Sequence, residues 1–447
     1  MFWGSRHLFK AFKSVNNRMS SNTQTSWPKF KYLGGEISGN LTKTRTLGLD
    51  DFNVIHSLGY KSDYHITTDT VLNTITRQEV GYKGFIGNVH ASDGYTYYLP
   101  AYSTSLGKLE RKTGKLTLEK KFTYNPQVRS GAEGANGIIY MPSYTKTLKI
   151  HTYNTKTGEV GLITPPKPGF FGHVWGAAAD KEGNVYMPPA LSKKILKIDT
   201  HGTASLLPGA PITSGVSGFN VKYVGATYVE SVNKVFCLPR CGKKILIIDC
   251  SDDSYEEVDL PADYLAVANK NKNFHGYLAP DGWLYSAFWA DTKCFRINPH
   301  TNEIQWRDYE YEFMDGHPSL EIGSGIQSKG TGFTTAAITV GTDVYYGLAG
   351  TSKAVKLDFK NLVARKLSKP INSSMSEIKI SGKDLTPGVR NLMGVLLDTK
   401  GNEEITITIS NDKENQVTPS PSVVCSTPSP SPSPAPTHCN CSGGYCN

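Results

Sequence analysis

The sequence predicts an all-β protein in which repeated four-stranded sheets close into a ring that takes up most of the 447 residues. Three observations carry the prediction. A turn followed by an aromatic-rich strand recurs along the chain, a second strand pattern rich in Lys and Ile follows each copy, and the spacing of the copies is that of sheet-sized units. Composition agrees, with Gly 43, Tyr 24 and Phe 17 against a charged fraction of 19%, as many short strands joined by tight turns require.

The first unit reads Asp93-Gly94-Tyr95-Thr96-Tyr97-Tyr98-Leu99-Pro100, the second Asn136-Gly137-Ile138-Ile139-Tyr140-Met141-Pro142, and the third Glu182-Gly183-Asn184-Val185-Tyr186-Met187-Pro188. Asn233 to Pro239, Asp281 to Tyr285 and Thr342 to Tyr346 continue the series. Each Asp-Gly or Asn-Gly pair supplies the positive φ that a tight hairpin needs. The strand that follows is seen in Lys193-Lys194-Ile195-Leu196-Lys197-Ile198-Asp199, in Lys243-Lys244-Ile245-Leu246-Ile247-Ile248-Asp249 and in Lys353-Ala354-Val355-Lys356-Leu357-Asp358. A second turn then closes the unit, as in Lys112-Thr113-Gly114-Lys115.

With Tyr98, Tyr140, Tyr186, Phe236, Tyr285 and Tyr345 as anchors, the intervals are 42, 46, 50, 49 and 60 residues. That is the period of propeller blades, too long for a leucine-rich repeat and without the 3.6-residue rhythm of a helical one. One twisted sheet cannot bury both its faces, and stacking around a ring buries them all. A β-propeller of six or seven four-stranded blades is therefore expected, with seven favoured. Residues 51 to 80 and 371 to 410 are candidate partial copies, and a blade shared between the two ends would make the count seven.

The third copy, His173 to Thr203, resembles the blades of the NHL-repeat, strictosidine-synthase-like and virginiamycin B lyase-like propellers, which run aspartate-glycine, aromatic strand, then a lysine, isoleucine and aspartate stretch. The resemblance is one of blade pattern and covers roughly residues 85–367. It implies the fold; such blades serve enzymes, receptors and scaffolds alike.

Three segments are expected: a basic, partly disordered leader (1–48), the propeller (49–410) and a Ser/Pro-rich disordered tail (411–447). The formal charge is +9, but Arg6, Lys10, Lys13, Arg18, Lys29 and Lys31 stand in a leader with no acidic residue before Glu36, which leaves the body near neutral. That distribution and the lack of any nucleic-acid-binding motif argue against a nucleic-acid partner. Residues 2–17 place Phe2, Leu8, Phe9 and Phe12 near one side of a helix and Arg6, Lys10 and Lys13 on another. Such a segment suits a mitochondrial presequence or weak contact with an anionic membrane surface, and the bland alternative is a disordered extension. No apolar run is long enough to span a bilayer and no secretory signal is present, so a soluble protein is expected, intracellular in preference to mitochondrial or particle-associated. The tail's Ser-Pro run cannot bury apolar area, and its Cys439, Cys441 and Cys446 could cross-link chains in an oxidising setting.

Chemistry, if any, belongs in the central channel, lined by the strand that precedes each glycine turn. His90, His173 and His275 lie on three such segments, and Glu133 stands four residues before Gly137 as His90 does before Gly94. Imidazoles and a carboxylate on one axis could hold a divalent metal or act as acid and base. Their offsets oppose convergence: the histidines stand 4, 10 and 7 residues before Gly94, Gly183 and Gly282. The reading favoured is a binding or scaffold propeller, without a cofactor, that presents loops to a protein or glycan partner. The alternative is a hydrolase or lyase with a divalent metal in the channel. Cys237 and Cys241 lack a second pair at zinc-ligand spacing and read as free thiols.

Overall fold

The computed structural model describes residues 27–32, 46–60, 63–145, 149–166, 173–212, 221–268, 273–288, 293–308, 337–346, 355–359, 377–380 and 405–408. They form seven four-stranded antiparallel sheets and a separate two-stranded one. Numbered along the chain, blades 1 to 7 have as innermost strands Gly48–Leu49, Phe85–His90, Ala132–Glu133, Ala178–Ala179, Thr227–Val229, Asn273–Leu278 and Ala337–Val340. Six blades are built from four consecutive strands. The seventh takes its outermost strand, Lys29–Tyr32, from the N-terminal segment, paired antiparallel with Val355–Asp358.

Residues 51 to 80, read above as a partial copy, belong to a full blade. Of residues 371 to 410, the described ones are not in a blade: Glu377–Ile380 pairs with Ile405–Thr408 in the two-stranded sheet. The seventh blade is thus shared between chain ends, but through Lys29–Tyr32, inside the segment assigned to the leader. The pairing Val89 with Tyr97, matching Ala132 with Tyr140 and Ala178 with Tyr186, also makes Tyr97 and not Tyr98 the anchor of blade 2.

Burial follows position in the blade. In the third strand of blade 5, Ile245, Leu246, Ile247 and Ile248 are all at most 1% exposed, because neighbouring sheets cover both faces. Each such side chain is worth about 1.5–3 kcal/mol by burial. The outermost strand of blade 1, Thr74–Glu79, has only Ile75 turned inward. Apolar clusters join blades 1 and 2 (Leu58, Phe85, Tyr98), 2 and 3 (Tyr97, Ile139, Tyr153), 3 and 4 (Tyr140, Val185, Leu196), 4 and 5 (Tyr186, Val235, Ile248) and 5 and 6 (Phe236, Leu284, Phe295). Tyr277 meets Tyr346 between blades 6 and 7 at a centroid distance of 5.5 Å. The ring closes where Leu47, Ile55 and Ile66 of blade 1 pack on Tyr345 of blade 7.

Towards the axis each innermost strand is a sheet edge, whose backbone groups need partners outside the sheet. Short polar side chains of a neighbouring blade supply them. Asn88 Oδ1 accepts from Leu47 N at 2.9 Å, Ser130 Oγ accepts from Ala177 N at 3.2 Å, and Thr227 Oγ1 donates to Gly276 O at 2.7 Å. Thr339 Oγ1 donates to Leu278 O at 3.1 Å. The channel wall is thereby sewn blade to blade.

Candidate functional site

The channel candidates are placed at three levels. His90 and Glu133 are equivalent, each one residue past the pair that anchors its blade. Glu133 is engaged: it accepts from Ser92 N at 2.7 Å and Ser92 Oγ at 2.9 Å, tying blade 3 to blade 2. At His90, Nε2 accepts from Asn88 Nδ2 at 3.4 Å and Nδ1 donates to Thr96 Oγ1 at 2.9 Å, a neutral tautomer with both nitrogens used. Desolvation by the surrounding channel wall, and then the charge of Arg111, lower its pKa to about 4, although the residue is open to solvent.

His275 lies in a register irregularity between Asn273 and Gly276, and burial lowers its pKa to about 4 as well. His173 stands before the first strand of blade 4, where its carbonyl accepts from Ala190 N and Leu191 N at 3.2 and 3.0 Å. At about 3.3 Å per residue along a strand, the His275 and His173 levels are roughly 10 and 20 Å from that of His90. The irregularity in blade 2 falls between Phe85 and Asn88, ahead of His90, so it does not alter this spacing. Among the described residues no three His, Cys, Asp or Glu side chains are grouped to hold a metal ion.

Cys237, Cys241, Cys250 and Cys294 form no disulfide among the described residues, and burial raises the thiols of Cys250 and Cys294 to about 12, which keeps them protonated. Cys439, Cys441 and Cys446, and the helix expected over 2–17, lie outside the described residues.

The chemistry that does converge is at the rim where the inner strands of blades 3 to 5 begin. Isolated bridges Val128 to Ser143, Val174 to Pro189 and Tyr223 to Pro239 extend those strands upward and aim the following residues at one another. The guanidinium of Arg129 lies over two rings, 4.1 Å from the centroid of Tyr144 and 4.2 Å from that of Trp175. Arg240, from blade 5, lies over Trp175 at 5.1 Å. The Tyr144 ring is 4.6 Å from Trp175 and 4.3 Å from His173, so the third histidine belongs to this cluster and not to the channel.

Trp175 is buried among Ala190, Val221 and Val224, which fixes the platform. Arg129 Nη2 donates to Tyr102 OH at 3.2 Å, and Tyr102, 52% exposed, leans on Tyr60 at 5.3 Å. Burial and the like charge of Arg129 depress the pKa of Arg240, partly offset by Cys241 and Tyr144. Lys222 is also close: its carbonyl accepts from Arg240 N at 2.7 Å, and its buried Nζ donates to Ser192 O at 2.7 Å. Burial lowers its pKa despite the attraction of Glu257.

Sequence reasoning passed over both arginines. One signal was present. Leu99-Pro100-Ala101-Tyr102-Ser103 and Met141-Pro142-Ser143-Tyr144-Thr145 repeat a tyrosine two residues after the proline that ends the second strand, which puts a ring at the rim of blades 2 and 3.

Fold and wall together define a closed seven-bladed β-propeller with a cationic, aromatic rim. The arrangement is similar to that of virginiamycin B lyase. Against a catalytically inactive variant of that enzyme from Staphylococcus aureus, with quinupristin, the TM-score is 0.56 at 15% identity, over 74% of this chain and 99% of the other. A streptogramin B lyase structure gives a TM-score of 0.55 at 14% identity, over 74% and 97%. The extracellular domain of a protein described as a hybrid two-component system, from B. thetaiotaomicron, gives 0.51 at 10% identity, over 74% of this chain and 40% of that one. No protein-family model and no curated protein matches the sequence. At these identities the likeness is one of fold.

Proposed function

We propose that this chain is a binding propeller that engages its partner at the rim of blades 2 to 5. The observation that carries the reading is the pair Arg129 and Arg240, both over one buried tryptophan, next to an exposed tyrosine. Surface arginines and aromatics set on a rigid platform are the residues that dominate recognition surfaces. The platform is held by the packed ends of three blades, so little ordering remains to be done on binding.

The alternative, a hydrolase or lyase with a channel metal, would need His90, His173, His275 and Glu133 to converge. Their different levels, and the bonds already made by His90 and Glu133, favour the binding reading. The test is paired. Purified full-length chain is assayed for bound metal by elemental analysis, and its binding to arrayed glycans and peptides is compared with that of the Arg129→Ala, Arg240→Ala double variant. Binding lost in the double variant supports the proposal. Stoichiometric, tightly held metal, with array binding unaffected by the double substitution, would overturn it.

A further inference from the structure

The rim cluster also specifies the chemistry of what it would take. Arg129 has no carboxylate partner in an ion pair among the described residues; its side chain donates to a phenol, and its guanidinium packs against the rings of Tyr144 and Trp175. Stacking of that kind holds a guanidinium plane in place and leaves its edge, with the remaining N–H donors, for a fork-shaped acceptor. Arg240 is held close enough to feel Arg129 as a like charge. Two cations brought together by a scaffold repel each other, and an oxyanion between them relieves that repulsion. Glu257 attracts Lys222 and accepts from Tyr223 OH at 2.9 Å.

Next to the charged pair is an apolar face. Tyr102 is half exposed, its hydroxyl is held by Arg129 and its ring is backed by Tyr60, so its orientation is set. A bare inorganic anion has no use for such a face. A ring with an apolar C–H surface and an attached acid uses both features at once.

We propose, building on the binding reading, that the rim of blades 2 to 5 binds an acidic sugar: Arg129 and Arg240 take its carboxylate, and Tyr102 takes the apolar face of its ring. The charge dictates salt sensitivity and the aromatic face dictates selectivity for a pyranose over a simple ion.

The test uses the full-length chain, tetragalacturonate as probe, and calorimetric titration at low and physiological salt. The fully methyl-esterified tetramer, a polyglutamate peptide and inorganic phosphate serve as comparisons. Tetragalacturonate is expected to bind at least tenfold more tightly than its methyl ester and to weaken with salt. Arg129→Lys, which keeps the charge and loses the fork, should cost about tenfold or more. Tyr102→Phe should retain most of the affinity and Tyr102→Ala should lose it, with thermal melting confirming that each variant is folded. Equal affinity for the acid and its ester would overturn the proposal, as would failure of the folded wild-type chain to bind the tetramer. Tighter binding of polyglutamate or phosphate, lost in Arg129→Lys, would overturn the sugar assignment while leaving the binding reading intact.

Discussion

Lys197 Nζ lies 2.7 Å from both carboxylate oxygens of Asp253, joining the third strand of blade 4 to the last turn of blade 5. The same carboxylate accepts from Tyr186 OH at 2.8 Å, and the ammonium sits over the Tyr186 ring at 5.3 Å. Asp253 adopts φ 62, a left-handed conformation tolerated by Asn and Asp. Asp253→Ala is therefore expected to destabilise the ring by about 2–3 kcal/mol, from the lost charged bonds of a fully buried tyrosine and from backbone strain. Asp253→Asn keeps the conformation and one acceptor and should cost about half as much. Urea unfolding of the two variants checks this, and equal losses would mean that the charge contributes nothing.

Acid should destabilise the ring through its buried histidines, in blade 1 and in blade 3 alike. Asp50 Oδ2 accepts from His56 Nε2 at 3.1 Å, and His56 Nδ1 accepts from His65 Nε2 at 3.0 Å, in a buried chain. Burial, and then His56, lower the His65 pKa to about 4, and burial followed by Lys149 does the same for His151. Both folded values lie below the ordinary 6.5, so between pH 6.5 and 4 the unfolded chain binds more protons. Their contribution is complete above about pH 6.5 and falls as pH drops towards 4, by at most about 1.4 kcal/mol per pH unit for each group. Unfolding free energies measured at pH 7 and pH 5 should differ accordingly, and His65→Gln should flatten the dependence. A profile that is level across this window would refute the assignment.

Gly87 sets the position of the site. Its φ is 72, and a Cβ there would lie 2.6 Å from the carbonyl oxygen of Arg129. Gly87→Ala should cost about 1–3 kcal/mol and push the Arg129 backbone away from Trp175. Chemical denaturation gives the first quantity. The second would be seen as a changed Trp fluorescence spectrum and weaker binding at the rim in a variant that remains folded.

The N-terminal strand is a structural part of the ring. Trp27 packs on Tyr285 at 5.7 Å and lies under the Arg296 guanidinium at 4.4 Å, and Lys29–Tyr32 complete blade 7. Deleting residues 1–26 should leave the melting temperature within a degree or two, whereas deleting 1–33 should lower it by at least about 5 °C. The longer deletion also bares the edge Val355–Asp358 to other chains, so light scattering should report association. Equal melting temperatures for the two deletions would show that the strand is dispensable.

What the sequence determined by itself is local in origin. The left-handed turn residue, the aromatic three positions later and the apolar strand beyond recur in blades 2 to 6, so the fold and the mismatched levels of His90, His173 and His275 could be read by counting. Blade 1 escaped full recognition because Asn53 replaces the turn glycine and His56 stands where the other blades carry a tyrosine or phenylalanine. What only the tertiary structure decided depends on partners from different blades: the pairing of Lys29–Tyr32 with Val355–Asp358, the engagement of Glu133 by Ser92, and the meeting of Arg129, Trp175 and Arg240. The physical reason is that a repeat pattern records what each sheet needs in order to fold. The side chains at blade ends carry no such periodic constraint, and their neighbours are chosen when the ring closes.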